Sequence, residues 1–227
     1  MQVSVGYGGG LDYLEIARPG APRDLPLIVM LHGRGASAED LAPIAGEIGG
    51  DGYRWIFPNG RLRVDLGGWI GYAWYGFEQV ARDLPASRRA VEALLAEQWE
   101  RSGLGPAQTV LAGFSQGAVV TLDVGLRAPE RFAGLVAMSG YLYEDPELLA
   151  ALARARDQRV LIVHGVEDAV LPVTRARAAR QTLEAAGLAP AYHEFEMGHE
   201  VSAASLAVVE AFLREVLPPR RDGGATT

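Results

Sequence analysis

The stretch Leu111-Ala112-Gly113-Phe114-Ser115-Gln116-Gly117-Ala118-Val119-Val120 constrains the fold of this chain more than any other. Apolar residues run into a Gly-x-Ser-x-Gly turn and out into a second, helix-like apolar run. A strand, a sharp turn with a serine at its tip and a helix read this way. Gly113 and Gly117 lack Cβ atoms, so strand and helix can close in on either side of the turn. Ser115 is then held in a strained backbone conformation with its hydroxyl clear of the sheet. The helix after it aims N-terminal N–H groups and the positive end of its dipole at the place where an oxyanion would develop. A chain with 28 glycines can produce this pattern by chance, so its surroundings must decide.

With 227 residues the chain has room for one α/β domain or two small ones. Its 49% apolar and 22% charged residues are those of an ordinary globular protein. The apolar runs are strand-length and far too short to span a bilayer, and no signal peptide is visible. The absence of cysteine excludes disulfides and thiolate metal sites. A net charge of −7 argues against nucleic-acid or anionic-membrane partners. All 21 basic residues are arginine, which reads as coding bias.

Strands and helices alternate from residue 25 onward. Residues 1–10 read as a short edge strand and turn, and residues 11–16 as a further edge strand. The nearly continuous apolar run 25–31 reads as a buried central strand. Further strands are expected at 53–57, 108–114, 132–138, 159–164 and 191–195. Helices are expected at 39–48, 83–101, 116–127, 146–154, 173–186 and 202–217. Gly187 closes one of them and Ser202 caps the last. Residues 61–77 have no regular period but carry Trp69, Tyr72, Trp74, Tyr75 and Phe77. This pattern predicts a mainly parallel sheet covered by helices on both faces, in one domain over residues 1–217. Residues 218–227 read as a flexible tail.

In open parallel sheets ligands bind beyond the carboxyl ends of the strands. Arg34, Ser115, Asp168 and His199 each follow a predicted strand, so all four fall on one rim. The order Ser…Asp…His is the one expected of an α/β-hydrolase triad. Ser115 is the candidate nucleophile and His199 its base, since imidazole titrates near neutrality. Asp168 would hold the imidazole tautomer, with Glu167 and Asp145 as the alternative acids. The backbone N–H groups of Arg34 and Gln116 would form the oxyanion hole. His32 and His164 read as structural hydrogen-bonders, and His193 as a strand residue. Trp69, Trp74 and Tyr75 either wall a substrate pocket or pack the loop onto the sheet. No His/Asp/Glu spacing marks a metal site.

Taken together, several motifs resemble the phospholipase/carboxylesterase family of α/β-hydrolases, which includes bacterial carboxylesterases and acyl-protein thioesterases. They are Leu31-His32-Gly33-Arg34-Gly35, the segment from Gly60 with Ala73-Trp74-Tyr75, Gly113-Phe114-Ser115-Gln116-Gly117, His164-Gly165 with Asp168 and Pro172, and Gly198-His199-Glu200-Val201-Ser202. The resemblance runs from about residue 25 to 217. It implies an α/β-hydrolase fold without a large lid domain, and hydrolysis of small to medium acyl esters by Ser115, Asp168 and His199 without cofactor or metal. Acyl-thioesterase and lysophospholipase activities are the near alternatives. An acyltransferase or a non-catalytic binding module is more remote. The implied partner is a small ester or thioester, the implied location cytoplasmic, and a homodimer is left open. Arg34 stands where the family commonly has leucine, Ala118 where glycine is frequent, Ala169 where proline is frequent, and Gly76 where an acidic residue often follows. These departures bear on substrate choice.

Overall fold

The computed structural model describes residues 1–48 and 50–220. The chain opens with an antiparallel hairpin, β1 (Gln2–Gly8) and β2 (Leu11–Ala17), closed by Gly9 and Gly10 at positive φ. Next come β3 (Leu27–Leu31), the short helices α1 (Ala38–Leu41) and α2 (Ile44–Glu47), and β4 (Arg54–Pro58). A separate two-stranded hairpin follows, β5 (Leu62–Asp65) and β6 (Ile70–Ala73). The long helix α3 (Val80–Ser102) leads to β7 (Thr109–Phe114) and α4 (Gln116–Arg127). The remainder is β8 (Gly134–Met138), α5 (Pro146–Leu152), β9 (Val160–Gly165), α6 (Thr174–Ala185), β10 (Ala191–Phe195) and α7 (Ala203–Val216).

The main sheet has eight strands in the order β1-β2-β4-β3-β7-β8-β9-β10. The pairs β1–β2 and β2–β4 are antiparallel, and every pairing from β4 to β10 is parallel. The apolar strands are explained by this layering. Leu27, Val29 and Leu31 of β3 pack with Leu94, Val119 and Leu122 of α3 and α4 on one face. Ile28 and Met30 pack on the other face with Leu41, Ile44 and Phe212 of α1, α2 and α7.

Two expectations are corrected. Residues 11–16 do not form an edge strand, because β1 pairs along the whole of β2 and takes the edge itself. Residues 39–48 do not form one helix. Pro43 has no N–H to continue it, and the chain makes two four-residue helices instead. At the other end, Ser202 caps α7 as expected, accepting the Ser205 N–H at 3.2 Å. Of the predicted tail, Arg220 is docked: its N–H reaches the Gly52 carbonyl at 3.1 Å and its guanidinium meets Asp24 at 2.7 Å. Residues 221–227 lie outside the described residues. Among the described residues, no helix is long and apolar enough to cross a membrane.

Candidate active site

The turn after β7 has the shape its glycines allow. Ser115 sits at φ 54° and ψ −117°, a positive-φ conformation that serine rarely adopts and that costs about 1–3 kcal/mol. The crossing around it is backbone on backbone. A Cβ on Gly113 would lie 2.3 Å from the Gly117 carbonyl, and one on Gly117 would lie 2.1 Å from the Leu31 carbonyl oxygen. The Ser115 N–H is tied to the Met138 carbonyl at 2.9 Å, which fixes the turn to β8.

Two neighbouring loops meet Ser115 from the carboxyl ends of β9 and β10. These loops are zipped together: the Val166 N–H bonds the Phe195 carbonyl at 2.8 Å and the Glu167 N–H bonds Met197 at 3.2 Å. Gly165 makes this approach possible, since a Cβ there would stand 2.2 Å from the Met197 oxygen. The result is a continuous path. His199 Nε2 lies 2.9 Å from Ser115 Oγ, and His199 Nδ1 lies 2.7 Å from Asp168 Oδ2. The other carboxylate oxygen, Oδ1, accepts the N–H groups of Val170 at 2.9 Å and Leu171 at 2.7 Å. Burial pulls the Asp168 carboxyl upward, but the Leu171 N–H, the His199 ring and the Val170 N–H outweigh it and hold it below the usual carboxylate range. Asp145 and Glu167 are elsewhere. Asp145 caps α5 through the Leu148 N–H and pairs with Arg127, while Glu167 is exposed.

The loop 33–36 after β3 completes the rim. Gly33 touches the serine: a Cβ on it would be 3.2 Å from the Ser115 Cβ. Arg34 follows it, with its exposed guanidinium 4.6 Å over the Phe77 ring. This loop is braced by the β5–β6 hairpin, through Gly35 N–H to the Tyr72 carbonyl at 2.7 Å and Tyr72 N–H to Ala36 at 2.9 Å. His32 is buried and structural. Its Nδ1–H donates to the Gly33 carbonyl at 2.6 Å and its Nε2 accepts the Gly60 N–H at 2.9 Å. Burial pushes its pKa down, against the opposing bond to Gly33. His193 is an exposed residue of β10.

Of the two alternatives for the aromatic residues, burial favours packing at Trp74 and Tyr75. Trp74 is 0% exposed and Tyr75 2% exposed. The Trp74 indole N–H is spent on the His32 carbonyl at 2.8 Å, so the ring buttresses the loop 33–36 from inside the core. Trp69, by contrast, stands 54% exposed near the tip of the β5–β6 hairpin. None of the three lines the cavity beside Ser115. That cavity, ≈ 430 Å³, is lined instead by Leu41, Pro43 and Ile44 of the α1–α2 segment, by Phe114, Val201 and Leu206, and by Arg34, Asp40, Glu47 and Glu200. A larger one, ≈ 540 Å³, opens beside Leu95, Trp99, Val124 and Phe132 and contains no candidate residue. Replacing Trp74 with alanine is therefore expected to cost about 3–5 kcal/mol of stability. Chain-length preference should be unchanged, as read by melting curves beside an ester series.

The profile of the phospholipase/carboxylesterase family matches residues 11–217. The chain belongs to this family. Esterase YpfH of Escherichia coli K12 is 28% identical over 222 residues, covering 91% of this chain and 89% of that protein. Acyl-protein thioesterase 1 of Gibberella zeae is 32% identical over 130 residues, covering 56% of this chain. That match spans only 55% of the thioesterase, so the chain aligns with little more than half of it. Among solved structures, esterase PE8 superposes with a TM-score of 0.79 at 30% identity, covering 96% of this chain and all of its own. With the sheet order above, the fold is that of an α/β-hydrolase.

Sequence reasoning missed two contributors. One is the α1–α2 segment, whose exposure toward Ser115 has no periodic signature. The other is the side chain of Gln116. Its Oε1 accepts the Trp74 N–H at 3.1 Å and its Nε2 donates to the Tyr75 carbonyl at 2.8 Å. Gln116 thus ties the serine turn to the aromatic segment, and an amide side chain directly after Ser115 was the available signal.

Proposed function

We propose that this protein is a serine hydrolase of carboxylic esters, and by the same machinery of acyl thioesters, acting through Ser115, His199 and Asp168. The observation that carries this reading is the unbroken hydrogen-bonded path from Ser115 Oγ through His199 to Asp168 Oδ2, at a strained turn on the carboxyl rim of the sheet. A carboxylate only accepts, so Asp168 keeps the ring proton on Nδ1 and leaves Nε2 free to take the serine proton. Ser115 then attacks the carbonyl carbon. The oxyanion is received by the N–H groups of Gln116, at the start of α4, and of Arg34, whose loop the hairpin braces. His199 returns the proton to the leaving alkoxide or thiolate, and an acyl-enzyme remains. Water, deprotonated by His199, releases the acid. Residues 1–217 are taken as the single domain that performs these steps.

The substrate arm is proposed to lie on Leu41, Pro43, Ile44 and Val201, an apolar floor suited to a small or medium acyl chain. Thioesters enter as a second reading because relatives of this chain carry the name acyl-protein thioesterase. Rates over p-nitrophenyl esters of increasing chain length, with an acyl thioester beside them, test both. Ile44→Trp narrows the floor and is expected to lower kcat/KM for the longest chains by about tenfold. The shortest ester should be spared. A variant with an unaltered series places the acyl chain elsewhere.

A further inference from the structure

We propose that His164 is a positioning residue for Asp168, and through it for His199. The inference rests on the triad reading above. His164 stands in the last residues of β9 and is 0% exposed. Its Nε2 lies 2.8 Å from the Leu171 carbonyl oxygen and 3.3 Å from Asp168 Oδ2. A carbonyl and a carboxylate both accept, so Nε2 carries a proton, which it donates to the Leu171 carbonyl with the carboxylate oxygen close beside it. Both acceptors belong to the same device. Leu171 is the residue whose N–H holds Asp168 Oδ1 at 2.7 Å, and Oδ2 is the oxygen that receives His199 Nδ1–H at 2.7 Å.

Asp168 is therefore fixed at both ends. Two backbone N–H groups hold Oδ1, the His199 ring holds Oδ2, and His164 Nε2 stands 3.3 Å from the same oxygen. During the reaction His199 takes a proton from Ser115 and must then face the leaving group. The carboxylate has to stay in place while the imidazolium draws on it. The bond from His164 Nε2–H to the Leu171 carbonyl restrains the loop that carries the acid, and the same polar N–H stands 3.3 Å from Oδ2.

The unused half of the ring separates this reading from plain packing. His164 Nδ1 is buried with no hydrogen-bond partner among the described residues. A buried, unpaired ring nitrogen lowers stability, and an apolar side chain of similar size would fill the same space without that loss. What such a side chain lacks is the Nε2–H.

Three variants test the proposal: His164→Gln, whose amide nitrogen reaches the Nε2 position, His164→Asn, whose shorter amide does not, and His164→Leu, which fills the space without a donor. The readouts are kcat and KM on one p-nitrophenyl ester, with melting temperatures alongside. The Asn and Leu variants are expected to lose roughly 10- to 100-fold in kcat at nearly unchanged KM, the scale of a displaced catalytic group. The Gln variant should recover most of kcat even where its melting temperature is no higher than theirs. Wild-type kcat in either the Asn or the Leu variant overturns the proposal. So does a Gln variant that falls as far as the Asn variant. Should Leu fail to fold, the Gln–Asn pair carries the same decision. Labelling of wild-type Ser115 by an organophosphonate keeps the two readings apart: without it the triad reading fails, whereas labelling with unaltered variants removes only the role of His164.

Discussion

Replacing Ser115 with alanine is expected to lower kcat by about a million-fold, to the level that binding and the oxyanion donors support alone. Among the described residues the side chain has one polar partner, His199 Nε2 at 2.9 Å, so truncation removes the proposed nucleophile and little else. The backbone strain at φ 54° remains, because alanine tolerates that conformation no better than serine does. The melting curve should therefore stay close to wild type, within about 1 kcal/mol. Rate assays, circular dichroism and mass spectrometry after organophosphonate treatment check the three parts together. Wild-type protein should gain one phosphonyl group on Ser115 and the alanine variant none. A folded alanine variant that hydrolyses esters at the wild-type rate ends the assignment.

The second large effect is expected at Asp168→Asn, a loss of about ten-thousand-fold in kcat. The hydrogen bonds give the reason. Oδ1 accepts from Val170 and Leu171, so an asparagine places its carbonyl oxygen there and turns its NH2 toward His199. Nδ1 must then accept, which moves the ring proton to Nε2, where it points at Ser115 and blocks the base. Acidity supplies a further check. The folded carboxyl is depressed below its ordinary value of 3.8, so its contribution to stability is present above that value and fades as pH falls through the lower, folded value. The asparagine variant lacks this contribution. The melting-temperature gap between the two proteins should narrow as the buffer is taken below pH 3.8; a gap that widens contradicts the sign.

Much of this architecture is legible in the sequence because burial on both faces leaves near-continuous apolar strands. Residues 27–31 and 109–114 are of that kind, and their ends locate the rim. The serine turn is legible because only glycine fits where Gly113 and Gly117 cross. Neighbours across the sheet are not legible in the same way. Alternation along residues 11–16 records one wet face, and says nothing of whether another strand pairs beside it. Trp74 illustrates a second limit. An aromatic residue in an aperiodic segment reads equally as pocket wall or as core. The partner that decides between them, the His32 carbonyl, is 42 residues away. The cavity beside Ser115 belongs to the same class, since its floor comes from α1 and α2, distant in sequence from the turn they face.

The β5–β6 hairpin holds the loop 33–36 through the Tyr72 backbone, and its Leu66 side chain packs beside Gly35, where a Cβ would lie 3.2 Å from it. Beyond Leu66, whose N–H meets the Trp69 carbonyl at 3.1 Å, Gly67 and Gly68 are open: a Cβ on either would meet nothing within 4 Å. That makes the tip a permissive insertion point: a segment of different length or chemistry grafted between Leu66 and Trp69 can reshape what approaches the serine while the anchoring rungs stay untouched.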